Sequence, residues 1–181
     1  MAGARGRIRR RRRRVHSRPR TAEPMSVPTS PRYEQILGAM LAAAEGSGLK
    51  LPPPVFADML TEMRDYAPGD PQTHVGARMV GRFPLQERYQ NPMGHMQGGM
   101  IAAAVDNVIG PLSYLVAPPS ATANLAITYL APVTPEFAFV EVEARLTHRQ
   151  GRQLVFEATV TGPDGQTLAV AHATQTVVRR G

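Results

Sequence analysis

A chain of 181 residues with 43% hydrophobic content is long enough to bury one core, and its lack of cysteine excludes disulfides, thiolate metal sites and cysteine nucleophiles together. The formal charge of +7 suggests a polyanionic partner until it is divided along the chain: residues 1–24 hold ten bases and one acid, leaving 11 bases and 13 acids, a balance of −2, for residues 25–181. That division removes the electrostatic case for nucleic-acid binding by the main body, and no window reaches the roughly 18 uninterrupted apolar residues of a membrane span, because the run from Met100 meets Asp106 and Asn107 after six residues. A soluble, single-domain protein of a reducing compartment, the cytoplasm, is expected.

Arg9 to Arg14 is a run of six arginines among Ala, Gly, Ser and Pro, so residues 1–29 are expected to be a disordered leader. No aromatic interleaves the arginines to stack on bases, and no specific nucleic acid is expected. No apolar stretch follows them, as a secretory signal would require. The 20 arginines against one lysine point to a GC-rich gene, in which a spurious upstream frame reads as Arg, Gly, Ala and Pro, and Met25 is then the true start. A solvated tail and an electrostatic tether to nucleic acid or anionic lipid are the alternatives.

Residues 30–181 read as the domain, with a helical segment over 30–66. Ser30-Pro31 is an N-cap followed by proline at the first helical position, and Tyr33, Ile36, Leu37, Met40, Leu41 and Ala44 recur at helical spacing up to Gly46. After Pro52 to Pro54, Val55, Phe56, Met59, Leu60 and Met63 predict a second, shorter helix, and Asp65 to Thr73 a loop. Val75 to Tyr89 predicts a strand with Met79 and Phe83 on one face and Arg78 and Arg82 on the other, and Pro84 argues for an edge or a bulge.

A glycine-rich turn, Asn91 to Gly99, leads into an apolar segment, Met100 to Val116, which is too long and alanine-rich for a strand and predicts a buried helix ending near Pro118-Pro119. Gly110-Pro111 is a candidate kink. Alternation then predicts strands over 121–130, 140–146 and 154–160, and the turn Pro163-Asp164-Gly165 predicts a hairpin whose second arm ends near Val178. The order suits an α+β fold, an antiparallel sheet wrapped around one hydrophobic helix.

Asp106 interrupts that helix. A buried lone carboxylate is disfavoured in its charged form, so this acid has to be paired, used in chemistry or set at an interface; an exposed position beside Asn107 is the alternative. Just upstream, Gly98 and Gly99 allow close approach to the backbone at a helix start, where unpaired N–H groups and the helix dipole suit a developing oxyanion. Acyl transfer needs that stabilisation.

Asn91, Gly94, Gly98, Gly99 and Asp106 fall in register with an Asn, Gly, Gly-Gly and helix-borne Asp pattern, and in this the chain resembles the PaaI-type thioesterases of the hotdog superfamily. Thr122 to Pro132 looks like the family's next strand, Gly151-Arg152 and the Asp164-Gly165 hairpin match its tail, and the resemblance spans roughly residues 75–178. It implies a hotdog fold, a homodimer or homotetramer whose sheets join edge to edge, and hydrolysis of an acyl-CoA to free acid and CoA with no metal and no cofactor. Asp106 is implied as general base or nucleophile reaching across from the partner chain, the Gly98 N–H as the polariser of the carbonyl with help from Asn91, and Thr122 as the hydroxyl that places the water.

One departure is Gln97 where the family motif has His, with His95 two residues earlier. Gln97 keeps a positioning role but cannot titrate near neutrality, and Gln97, Gly99 and His95 are expected along the substrate. Arg149 and Arg152 flank Gly151, where they would meet CoA phosphates, a solvated turn being the alternative. The five histidines show no pair at metal-binding spacing. A non-catalytic acyl-CoA-binding hotdog protein is the alternative that Gln97 favours, and a small aromatic or a medium-chain acyl group are both open.

Overall fold

The computed structural model describes residues 31–43, 45–46 and 50–178, so the leader and the Ser30 cap lie outside the described residues. Helix α1 (Pro31–Ala43) ends in a turn at Glu45-Gly46, and Ile36 and Met40 are its buried positions. Helix α2 (Pro54–Met59) opens on the proline run, whose fixed φ suits a first helical turn. It closes at Leu60, which takes a left-handed conformation, φ 52°, and returns its N–H to the Ala57 carbonyl.

That stop separates the structure from the sequence expectation. Residues 62–67 are neither helix nor loop but strand β1 (Glu62–Ala67), in which Met63 is buried opposite Gly81. Met59, Leu60 and Met63 have helical spacing, but so short an apolar run fits either period, and pairing with the neighbouring strand decides it.

Strand β2 (Arg78–Pro84) turns Met79, Gly81 and Phe83 inward, while Arg78 bonds Asp65 and Glu143 and Arg82 bonds Glu141 on the outer face. Pro84 is the last residue of β2, beyond the stretch that β1 covers, where its missing N–H costs least. Helix α3 (Gly98–Val116) follows, then β3 (Ser120–Tyr129), β4 (Phe139–Gln150), β5 (Gln153–Thr161) and β6 (Thr167–Val177). The six strands form one antiparallel sheet in the order β1-β2-β4-β5-β6-β3. Gly165, φ 82°, makes the tight turn of the β5–β6 hairpin.

The sheet curls around α3. By length and composition α3 would suffice to cross a membrane, but Ile101, Ala104, Val105, Val108 and Leu112 form a stripe at i, i+3, i+4, i+7 and i+11 that is buried against β2, β3, β4 and β5. Strand β2 approaches the helix tightly at Gly81, where an added Cβ would lie 2.7 Å from Val108 Cγ2. Pro111 lies inside the helix, and the Ser113 hydroxyl donates to the Gly110 carbonyl beside it at 2.6 Å.

Candidate active site between the central helix and the edge strand

Asp106 sits on the exposed side of α3 and not in the core. It is one residue past buried Val105, which rotates it by about 100° out of the apolar stripe. There it meets β3: the Thr122 hydroxyl donates to Asp106 Oδ1 at 2.9 Å. A charge-assisted bond of this kind holds the carboxylate without burying it.

Thr122 reaches the helix because of a bulge. Simple alternation would put Thr122 on the face opposite Leu125, Ile127 and Tyr129. The register shift between Thr122 and Asn124 inserts Ala123 as an unpaired residue, so Ser120 and Thr122 before it and Leu125, Ile127 and Tyr129 after it all turn towards α3. Polar groups thereby gather around Asp106, and apolar ones around the start of the helix.

At that start, Gln97 caps α3 in an extended conformation with an exposed side chain, and its carbonyl accepts the N–H groups of Met100 and Ile101. The N–H groups of Gly98 and Gly99 have no acceptor among the described residues, as expected of a first helical turn. Asn91 Oδ1 accepts the N–H of Met93 at 2.9 Å and of His95 at 3.2 Å, which folds the loop around Gly94, φ 79°. The Asn91 carbonyl is thus committed to the turn, and its NH₂ remains as a donor. Beside His95, the Glu136 carboxyl is held below the usual range by the Thr134 hydroxyl first, then by its own backbone N–H, with His95 adding to the effect.

Asn91, His95, Gly98, Ile101, Tyr129 and Val133 line a cleft of about 360 Å³. Ile101, Tyr129 and Val133 were not expected there from the sequence, and Tyr129 is the polar one of the three. Its hydroxyl donates to the Gly98 carbonyl at 2.8 Å, yet in the sequence it is only the last apolar residue of an alternating strand. A second cleft of about 400 Å³ lies between α2 and α3, lined by Val55, Asp58, Met59, Tyr89, Met100 and Ala103. One residue beyond Asp106, the Asn107 amide donates to Met59 Sδ at 3.0 Å and ties the two helices together.

The structure therefore brings Asn91, His95 and Gly98 to one cleft and Asp106 to Thr122, but these two groups stay apart within one chain. Eight residues of helix separate Gly98 from Asp106, about 12 Å along the axis. Arg149 and Arg152 lie elsewhere: the Arg149 guanidinium donates to the Val116 carbonyl at 2.9 Å, at the far end of α3, and Arg152 is exposed on the hairpin. Among the described residues, His, Asp and Glu gather nowhere in a group of three that could hold a metal.

The sequence model of the thioesterase superfamily matches residues 93–169, a segment that contains Gly98, Asp106 and Thr122. Among solved structures, the E. coli PaaI protein from the phenylacetic acid degradation operon superposes with a TM-score of 0.66 at 10% identity, covering 80% of this chain and 96% of that one. A phenylacetic acid degradation-related protein from Ralstonia eutropha gives 0.62 at 23% identity, covering 75% and 98%. A Streptococcus mutans protein bound to acetyl CoA gives 0.60 at 19% identity, covering 74% and 95%. At these identities the likeness is one of fold, and that fold is the hotdog. The resemblance read from Asn91 to Asp106 is borne out in the hotdog architecture and in a thioesterase-superfamily match over residues 93–169.

Proposed function

We propose that this hotdog chain of the PaaI type, with its thioesterase-superfamily segment over 93–169, hydrolyses an acyl-CoA thioester, with Asp106 of one protomer acting on a carbonyl polarised by the Gly98 amide of its partner. The observation that carries the reading is the separation of the two halves of the site. Asp106 and Thr122 stand at the exposed border of α3 and β3, while the free N–H of Gly98 is about 12 Å away on the same helix. One chain cannot apply both to one carbonyl. The outer edge of β3 has no strand partner among the described residues. Two such edges pairing antiparallel about a two-fold axis would continue the sheet and set each Asp106 towards the other chain's helix start.

In that arrangement Asp106 Oδ2 either takes a proton from water as the water oxygen attacks the thioester carbon, or attacks it directly to give an anhydride that water then opens. In both routes the C–S bond breaks and the thiolate of CoA leaves. The Gly98 N–H and the Asn91 NH₂ would stabilise the oxyanion formed in between. Gln97, Gly99 and His95 would flank the acyl group, a positioning task that needs no titration at Gln97. The acetyl CoA bound by the Streptococcus mutans protein supports a CoA ester as the ligand class. A cytoplasmic homodimer or homotetramer belongs to the same proposal.

A thiol-release assay over a series of acyl-CoAs, run with the wild type and Asp106→Asn, tests it. Hydrolysis should fall by about two orders of magnitude or more in the variant. Undiminished turnover by Asp106→Asn would remove Asp106 from the chemistry. Tight acyl-CoA binding with no cleavage by the wild type would establish the non-catalytic reading, which Gln97 favours.

A further inference from the structure

Four polar side chains form a line behind Asp106. Gln175, on β6, is 2% exposed and Ser113, on α3, is fully buried. Gln175 Oε1 accepts from the Ser120 hydroxyl at 2.7 Å, and Gln175 Nε2 lies 3.4 Å from Thr122 Oγ1 as donor. Thr122 in turn donates to Asp106 at 2.9 Å. On β6 the residues facing the core are Ala169, Ala171, Ala173 and then Gln175, so an amide ends a series of small apolar side chains. A buried amide at such a place has to have both ends satisfied.

We propose that Gln175 is a positioning residue for Asp106, acting through Thr122 by fixing which way the threonine hydroxyl points. A hydroxyl carries one proton and two lone pairs. Ser113 commits its proton to the Gly110 carbonyl at 2.6 Å, so it offers Ser120 only lone pairs, at 3.1 Å. The single Ser120 proton goes to the nearer acceptor, Gln175 Oε1. This orients the amide, with oxygen towards Ser120 and nitrogen towards Thr122. An amide NH₂ accepts nothing, so Thr122 has no acceptor in that direction and directs its proton to Asp106. Every donor in the line Ser120, Gln175, Thr122 thus points towards the carboxylate. Oδ1 is held as an acceptor, and Oδ2 is left for the reacting group.

The proposal rests on the thioesterase reading, and its test separates the two. The variants are Gln175→Met, which keeps length and removes the donor, and Gln175→Glu, which keeps shape and replaces the donor with an acceptor that draws the Thr122 proton away. Both should lower kcat by about tenfold to a hundredfold with KM nearly unchanged. The deciding measurement is the cycle with Thr122→Val. Because Gln175 acts through the Thr122 hydroxyl, Gln175→Met should change kcat little in the Thr122→Val background, whereas a merely structural role would cost the same in either background. Additive losses, or a wild-type kcat in Gln175→Met, overturn the relay. If Gln175→Glu fails to fold, the Gln175→Met cycle alone decides. Undiminished hydrolysis by Asp106→Asn would instead sink the catalytic reading on which the relay depends.

Discussion

The Tyr129 hydroxyl donates to the Gly98 carbonyl at 2.8 Å, so the last residue of the edge strand is bonded to the first residue of the central helix. Strand β3 is thereby fastened to α3 at both ends of the proposed site, by Thr122 on Asp106 and by Tyr129 on Gly98. The pairing also explains why residue 98 has no side chain. A Cβ there would lie 3.1 Å from Tyr129 Cζ and 3.2 Å from the phenol oxygen. Gly98→Ala should nevertheless fold, because the ring is 49% exposed and can move a few tenths of an ångström. The expected result is a melting temperature near that of the wild type together with a loss in kcat/KM of about tenfold from the narrowed approach to the amide. A large drop in melting temperature would show that the Tyr129 ring is fixed in place.

The Thr122 hydroxyl is expected to matter as a donor and not as bulk. Thr122→Val should lower kcat by about tenfold to a hundredfold, the worth of one hydrogen bond to a charged group, while Thr122→Ser should stay within a few-fold of wild type. Equal losses in both variants, read in the same thiol-release assay, would contradict a hydrogen-bonding role.

Gly81 is required by the contact between β2 and α3. Its missing Cβ would sit 2.7 Å from Val108 Cγ2, in a core with no exposed neighbour to yield, so Gly81→Ala should cost about 1–3 kcal/mol. Adding Val108→Ala should recover part of that loss, since the two changes share one contact. Denaturant unfolding of the two single variants and the double variant measures it, and strictly additive losses would refute the contact.

Asp70 provides a pH-dependent test of the loop between β1 and β2. Its carboxyl is held below the usual range chiefly by the Thr73 N–H, then by the Thr73 hydroxyl and the Gln72 N–H, which bond Oδ1 at 2.7, 2.9 and 3.0 Å. A depressed folded-state value means that the charged form stabilises the fold at pH values above that of a free carboxyl. This contribution is lost as pH falls through the lowered value. Asp70→Ala should therefore melt below the wild type near neutrality, with the gap closing below roughly pH 4. A gap that stays constant down to acid pH would exclude the charged form as its source.

Arg149 donates to the Val116 carbonyl, where a cation also opposes the negative end of the helix dipole. Arg149→Met should lower stability by about 0.5–1 kcal/mol with an unchanged KM for acyl-CoA. A raised KM at unchanged stability would return this arginine to the CoA phosphates.

Much of the fold was legible because its signals are local. The 19-residue apolar helix, the alternating strands after it and the Pro163 to Gly165 turn all follow from period and turn chemistry within short windows. Strand β1 was not legible, because Met59, Leu60 and Met63 satisfy helical spacing until Leu60 turns left-handed and hands Met63 to the sheet. In the proposed site, Asn91, Gly98 and Asp106 stood out in the sequence by their chemistry and spacing. Gln175 was not, since an isolated glutamine between two threonines on a strand carries no signal until its neighbours across the sheet are known.

By itself, the sequence determined the secondary-structure periods, the place where a helix must begin on glycine, and the one acid that breaks an apolar helix. Each of these depends on residues within a few positions of one another. Only the tertiary structure decided that Asp106 faces outward, that a bulge at Ala123 brings Thr122 onto it, and that Gln175 and Tyr129 complete the surroundings. Those relationships join residues 16 to 53 positions apart. They are set by strand register, in which a shift of one residue exchanges the two faces of a strand and redirects every side chain beyond it.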